Sequence, residues 1–352
     1  MINKIYINSI KQISAQKPLF EDWFEQPIFY SEPYVRAIEP EYKQFFTSND
    51  LRRFGKILKR ALLVSRQAMM ESDVVLPDAI ITGTGLGCIE NTEIFLDKLV
   101  HEGEEFLNPT HFMQSTHNTI SSLIAIDAKC HAYNNTYAHK GISFECALQD
   151  AFMQMRNHNN ATHQPFNALI GAHDEMTPTY FMLLKKTPYL GKPNQTFAGE
   201  TAVAMMLSTE KTEKTLCEIE MLEKIYLGVK GVKGVKGVKE LEEVKKIEQI
   251  DDIDFVMIGI NGVKENDDVY LENCAKWFPN IPLLQYKNIF GESFTASALG
   301  VYAAATCLQK NEIPEHLKIS NNDLNITNKK INKILCYNHF ENKNHTFILL
   351  SR

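Results

Sequence analysis

Residues 131–155, HAYNNTYAHKGISFECALQDAFMQM, constrain the fold more than any other part of the chain. Ala132 to Ala138 holds β-compatible Tyr and Thr with little helical periodicity, which predicts a strand. Phe144, Ala147, Leu148, Ala151, Phe152 and Met155 recur at the spacing of an amphipathic helix. Between them, Ser143 is a good N-cap, and Glu145 in the first turn suits the positive end of the helix. A sharp strand-to-helix turn is where several enzyme folds hold a nucleophile, because the helix start stabilises an anion. Here the turn carries Gly141, which can adopt strained backbone geometry but has no side chain to react. The expectation is an elbow that is built but lacks its nucleophile.

The chain has 352 residues, enough for two lobes or one large domain. A formal net charge of −6 argues against nucleic acid as the main partner. No apolar run is long enough to span a membrane, and MINKIYINSI lacks the sustained apolar core of a secretion signal, so a cytoplasmic protein is expected. Cys88, Cys130, Cys146, Cys217, Cys274, Cys307 and Cys336 are scattered without a CxxC pair, which predicts buried reduced thiols, not zinc ligands or disulfides.

In chain order, a short strand is expected over Ile2 to Ile7, followed by an irregular arm rich in aromatics, from Phe20 to Tyr34, that either packs down or forms a partner surface. Leu51 to Met70 reads as one helix after Ser48-Asn49-Asp50. Ala79 to Thr82 is a buried strand entering Gly83-Thr84-Gly85-Leu86-Gly87, which fits neither a Walker loop nor a dinucleotide fingerprint. Asn108 to Phe112 reads as a turn, and a helix opens after Ser115 to Asn118. Asn167 to Gly171 is a buried strand, so the succession is α/β. Gly228 to Lys239 repeats one tripeptide four times, GVKGVKGVKGVK, and is expected to be a mobile surface insertion. Beyond Asp254 come strands at Phe255 to Ile260 and Ile281 to Tyr286, an alanine-rich helix from Thr295 to Leu308, and a hairpin joining Ile334 to Tyr337 with Thr346 to Leu350.

Taken in order, Gly83-Thr84-Gly85, Phe112 to Asn118, the elbow, Gly171 with Asp174-Glu175, Gly199-Glu200, Lys287 with Gly291, Ala296 with Ala298, and Asn338 resemble a β-ketoacyl-(acyl carrier protein) synthase. The resemblance covers nearly the whole chain. It implies a thiolase-like α/β fold in which two related halves form a layered α-β-α-β-α core, with the boundaries 1–207, a linker at 208–250, and 251–352. Ser143-Phe144-Glu145 and Gly291 to Ala298 further resemble the synthase-like proteins of aryl-polyene and flexirubin pigment clusters.

The departures carry the functional expectation. A working member needs a cysteine at the elbow and two histidines. On this resemblance the cysteine position holds Gly141, the first histidine falls at Gly259 or Asn261, and the second is Glu292, with Lys287 retained. Phe340 to Asn344 replaces the family's glycine-rich oxyanion loop. Losing all three catalytic side chains removes covalent catalysis and its charge stabilisation. The resemblance therefore implies a non-catalytic, chain-length-factor-like subunit that pairs with an active ketosynthase, reaches acyl carrier protein through that complex, and needs no cofactor or metal. Phe112, His117, Tyr133, Asn135, Tyr137 and His139 are the residues that would line the interface and acyl tunnel. Two other readings stay open: an acyltransferase, hydrolase or decarboxylase working through Glu292, Asn261 or His345, and a homodimeric acyl-binding protein. Cys146 and Cys130 sit off the turn and read as packed thiols, and His131, His139, His117 and His345 could do acid–base work only where two of them converge.

Overall fold

Buried side chains alternate between two faces along almost every strand, so each sheet must be covered on both sides. The computed structural model describes residues 4–105, 107, 109–161, 164–187, 189–226, 247, 250–319 and 330–352. The GVK run at Gly228 to Lys239 lies outside them. The elements in chain order are β1 (Ile5–Ile13), α1 (Ser48–Arg53), α2 (Lys56–Glu71), β2 (Ala79–Gly83), α3 (Ile89–Glu102), α4 (Pro109–Ser115), α5 (Thr119–Ala128) and β3 (Tyr133–Tyr137). Then follow α6 (Ser143–Ala161), β4 (Asn167–Asp174), α7 (Pro178–Lys185), β5 (Thr201–Ser208), β6 (Cys217–Tyr226) and β7 (Phe255–Ile258). The chain closes with α8 (Lys264–Trp277), β8 (Leu283–Gln285), α9 (Lys287–Phe290), α10 (Ser297–Lys310), β9 (Lys333–Phe340) and β10 (Asn344–Ser351).

The strands hydrogen-bond in the order β3-β2-β4-β5-β1-β6-β10-β9-β7-β8. Pairing is parallel at both ends and antiparallel through the middle, so β1–β5 and β6–β10 mirror one another across the β1–β6 pair. Ile81, Ile170, Met205, Met257, Cys336 and Ile348 share one core with Phe144 of α6 and Leu299 of α10. Their strand neighbours Ile80, Leu169 and Met206 face α2 and α5. On the other half, Val256, Leu335 and Leu349 face α8. The sheet thus wraps around α6 and α10, giving the expected order of α-β-α-β-α layers.

Several elements differ from the sequence reading. The first helix is broken at Phe54, where an extended backbone precedes Gly55, the N-cap of α2. Residues 109–115 form α4, a helix opened by Pro109 at its first position, not a turn. The stretch 208–250 is not all linker: Cys217 to Tyr226 is β6, bonded to both β1 and β10. Its charged residues hid it from a search for apolar runs, although Cys217, Ile219 and Ile225 are buried. β1 extends well past Ile7, to Ile13. In the aromatic arm Trp23 and Phe24 are buried while Phe20 and Phe29 are exposed, so the arm is mostly packed.

Candidate functional site

At the elbow, β3 leads through His139 into a single 3-10 turn, Lys140–Ile142, and then α6. Ser143 Oγ accepts from His139 N at 2.7 Å and lies 2.9 Å from Thr84 O and 2.8 Å from Lys140 O, tying the turn to the end of β2. The left-handed residue here is Lys140, with φ 49°; Gly141 is not among the positive-φ residues. The expectation that Gly141 supplies strained geometry is therefore corrected. Its bareness serves another end: a Cβ there would sit 2.8 Å from Cγ of Phe340, whose ring lies directly on the glycine. Phe340 in turn meets Phe294 edge-on at 6.2 Å, and Phe294 stacks on Tyr189 at 4.4 Å. The elbow is filled by an aromatic group.

Next to this plug, α9 ends at Gly291, whose φ of 80° turns the chain so that Glu292 folds back onto Lys287. Lys287 Nζ donates to both carboxylate oxygens of Glu292, at 3.0 and 2.8 Å. Asn261 Nδ2 donates to Glu292 Oε2 at 2.7 Å, and the Tyr189 hydroxyl to Oε1 at 3.4 Å. Asn261, Lys287 and Glu292 are all buried. Burial and the adjacent Glu292 push the Tyr189 phenol well above its ordinary pKa, so it stays a neutral donor. Gly141, Asn261, Lys287 and Glu292 all line one pocket of about 280 Å³ that Asn338, Phe294 and Phe340 also line. Both carboxylate oxygens of Glu292 are engaged in these internal bonds.

Other buried carboxyls surround the elbow. Glu145 Oε1 accepts from Asn338 Nδ2 at 2.7 Å, and burial holds its pKa above the ordinary range. Asp174 Oδ1 accepts from Thr84 Oγ1, Gly85 N and Leu86 N at 3.1, 2.8 and 3.0 Å, while Thr295 Oγ1 donates to Oδ2 at 2.8 Å. It closes the loop after β2 onto the start of α10. Burial raises its pKa too, and raises that of Glu175 to about 8.

His345 packs on His339, with ring centroids 5.8 Å apart, away from the exposed His117, His131 and His139. His345 and Tyr337 share a 2.8 Å bond through Nδ1, and His339 Nε2 donates to Asn266 O at 3.0 Å. Burial lowers them to about 4 and 3, so both are neutral imidazoles at physiological pH. His131, His139 and His117 are exposed. Six of the seven cysteines are buried; Cys146 is partly exposed and accepts from Lys224 Nζ at 3.2 Å, while Cys130 donates to Pro77 O at 3.3 Å. Sequence reasoning missed Tyr189 and the burial of Glu145. Nothing in the local pattern distinguishes a first-turn glutamate that faces inward from one that faces water.

Phe112 lies on α4 and His117 between α4 and α5, whereas Tyr133, Asn135 and Tyr137 belong to β3 and His139 follows it. Phe112 is 56 % exposed and packs on Phe95 at 5.3 Å; His117 leans on Gly87. Tyr133 OH and Asn135 Nδ2 reach Asp150 Oδ2 on α6 at 2.9 and 3.3 Å. Among the described residues β3 ends the sheet, pairing with β2 alone.

A family model described as the N-terminal domain of β-ketoacyl synthase matches residues 51–243. No curated protein matches the chain. Among solved structures, the ishigamide ketosynthase/chain length factor superposes with a TM-score of 0.74 at 18 % identity, over 100 % of this chain and 99 % of that one. The AntDE:AntF assembly, a type II polyketide synthase acyl-carrier protein in complex with its ketosynthase bound to the hexaketide, gives 0.76 at 12 % identity, over 99 % of each chain. The ketosynthase ApeO in complex with its chain length factor ApeC, from Xenorhabdus doucetiae, gives 0.72 at 12 % identity, over 99 % and 98 %. The fold is that of the ketosynthases. Among the described residues no helix is long and apolar enough to cross a membrane, and no group of His, Cys, Asp and Glu is placed to hold a metal.

Proposed function

Because the chain belongs to the β-ketoacyl synthase family, we propose that it is a non-catalytic, chain-length-factor-like subunit. It pairs with an active ketosynthase through the β3 side and forms part of the wall of that enzyme's acyl tunnel. The observation that carries this reading is the state of the elbow. No thiol stands there, Phe340 covers Gly141, and Asn261 and Glu292 form an internal network with Lys287 at the positions assigned to the two histidines. A site built so cannot form an acyl thioester or stabilise an enolate. Phe112, His117, Tyr133, Asn135, Tyr137 and His139 serve as contact and wall. Acyl carrier protein reaches the subunit through the complex, and no cofactor or metal takes part. The product class we assign is an aryl polyene or flexirubin polyene chain, on the likeness of Gly291 to Ala298 and Ser143 to Glu145 to such proteins.

Co-expression with an intact ketosynthase of such a cluster, followed by size-exclusion mass measurement, tests the pairing. A stable one-to-one assembly supports it; a chain that stays apart from the ketosynthase contradicts it. Intact-mass analysis after incubation with acyl-loaded carrier protein is expected to show no adduct on this chain. A stoichiometric adduct mapped to Cys146 would make it an enzyme.

A further inference from the structure

We infer that Phe340 is a plug that shuts this chain's own acyl cavity, so the elbow is sealed as well as stripped of its nucleophile. The inference rests on the acyl-handling role proposed above, and it concerns where an acyl chain is refused. Elements far apart in sequence meet at a pair of rings, Phe340 and Phe294, whose centroids are 6.2 Å apart. The elbow contributes a bare Gly141, against which any Cβ would lie 2.8 Å from Cγ and 2.9 Å from Cε2 of Phe340. The loop after β2 contributes Gly85, where a Cβ would lie 2.6 Å from Cγ of Phe294. The β9–β10 hairpin contributes Phe340 itself, the last residue of β9.

The hairpin explains how the ring is held. Lys343 N donates to Phe340 O at 3.1 Å, and the two residues between them, Glu341 and Asn342, both have left-handed backbones, at φ 55° and 51°. Phe340 pairs with Asn344, so the loop holds only three residues, and positive φ at the first two turns the chain back sharply. Asparagine tolerates it, but glutamate does so only against a steric penalty. A looser loop would avoid that penalty; the tight turn keeps Phe340 in strand register and directed at Gly141. Phe294, stacked on Tyr189, backs the ring from the far side. Beyond the plug, the remaining pocket is lined by Lys287, Glu292 and Asn261, polar groups that an alkyl chain would have to desolvate. The glycines and the phenylalanines are therefore matched: each bare position admits one ring, and together they take up the apolar space beside the elbow.

Removing the ring should create an alkyl site. An apolar cavity of about 150 Å³ suffices to bind benzene in an engineered protein, and the space vacated by Phe340 opens onto the existing pocket of about 280 Å³. The isolated chain is titrated with hexanoyl-pantetheine by calorimetry, as wild type and as Phe340→Ala. Wild type should show no saturable binding, and Phe340→Ala should bind at least tenfold more tightly than the weakest affinity the instrument resolves. Equal binding by the two proteins, or none by a folded Phe340→Ala, overturns the plug. If Phe340→Ala fails to fold, the contact is read through Gly141→Ala in wild type and in a Phe340→Leu background. Gly141→Ala should lower the melting temperature by several degrees in wild type and by much less beside leucine. A neutral Gly141→Ala in wild type overturns the proposal. Because no ketosynthase is present in these titrations, failure of the plug leaves the pairing experiment standing, and failure of pairing leaves this result intact.

Discussion

The two edges of the ten-stranded sheet are treated in opposite ways. At one end, β8 is covered: Ile319 N donates to Leu283 O at 3.3 Å, Leu284 bridges to Lys318, and the fully buried Leu317 anchors the covering segment in the core. At the other end, no second strand pairs with β3 among the described residues. The helices beside β3 expose Phe112, Met113, Ile126 and Met153, at 56, 68, 73 and 52 %. An open edge flanked by apolar side chains is an invitation to pair with another chain, and proteins that have no such partner usually blunt it. This molecule blunts one edge and keeps the other available.

The largest effect should come from uncovering β8. Leu317→Ala removes a fully buried anchor and should cost about 2–5 kcal/mol in urea unfolding, with ketosynthase affinity unchanged once the protein is folded. The mirror experiment places charge beside the open edge. Met113→Glu with Ile126→Glu should weaken pairing by about 2–4 kcal/mol while shifting stability by no more than about 0.5 kcal/mol. Leu271→Glu, on α8 away from that edge, is the control that should do neither. If both substitutions moved stability alike, the contrast between the edges would be lost.

Two buried groups, one from each half, should answer pH in opposite directions. In the β3 half, Glu175 titrates at about 8 when folded against 4.5 ordinarily, because of burial. The folded state then holds a proton that the unfolded chain releases, so stability falls as pH rises from 4.5 towards 8, by at most about 1.4 kcal/mol per pH unit. Glu175→Gln should flatten that limb. In the β8 half, His345 titrates at about 4 against 6.5. Here the unfolded chain takes up the proton first, and stability falls as pH drops from 6.5 towards 4. His345→Gln should flatten the acid limb without touching the other. The smallest effect is expected of Tyr133→Phe, which removes the hydrogen bond to Asp150 from a side chain 40 % exposed and should cost under about 1 kcal/mol.

The central helix, the buried strands and the order of layers were readable from periodicity, because α6 must show an apolar stripe every 3.6 residues and the strands every second one. The convergence of Gly141, Asn261, Lys287 and Glu292 was readable only through resemblance. Residues five apart do not face each other on a helix, and it takes the left-handed Gly291 to bring Glu292 back onto Lys287. Phe340 on Gly141 joins residues far apart in the chain, a contact no local pattern encodes. β6 was hidden by its glutamates and Lys224, which a half-buried strand tolerates on its outer face. Lys140, not the glycine beside it, carries the positive φ, since tertiary contacts at the turn outweigh the residue preference.

Hydrogen exchange of the chain, alone and mixed with an intact ketosynthase, tests the open edge most directly. We expect the β3 amides, Tyr133–Tyr137, to slow by at least about tenfold on mixing, as an edge that gains a strand should, while those of β8 stay as they were. Protection at β8 with none at β3, or a complex that leaves both edges exchanging freely, would contradict the account.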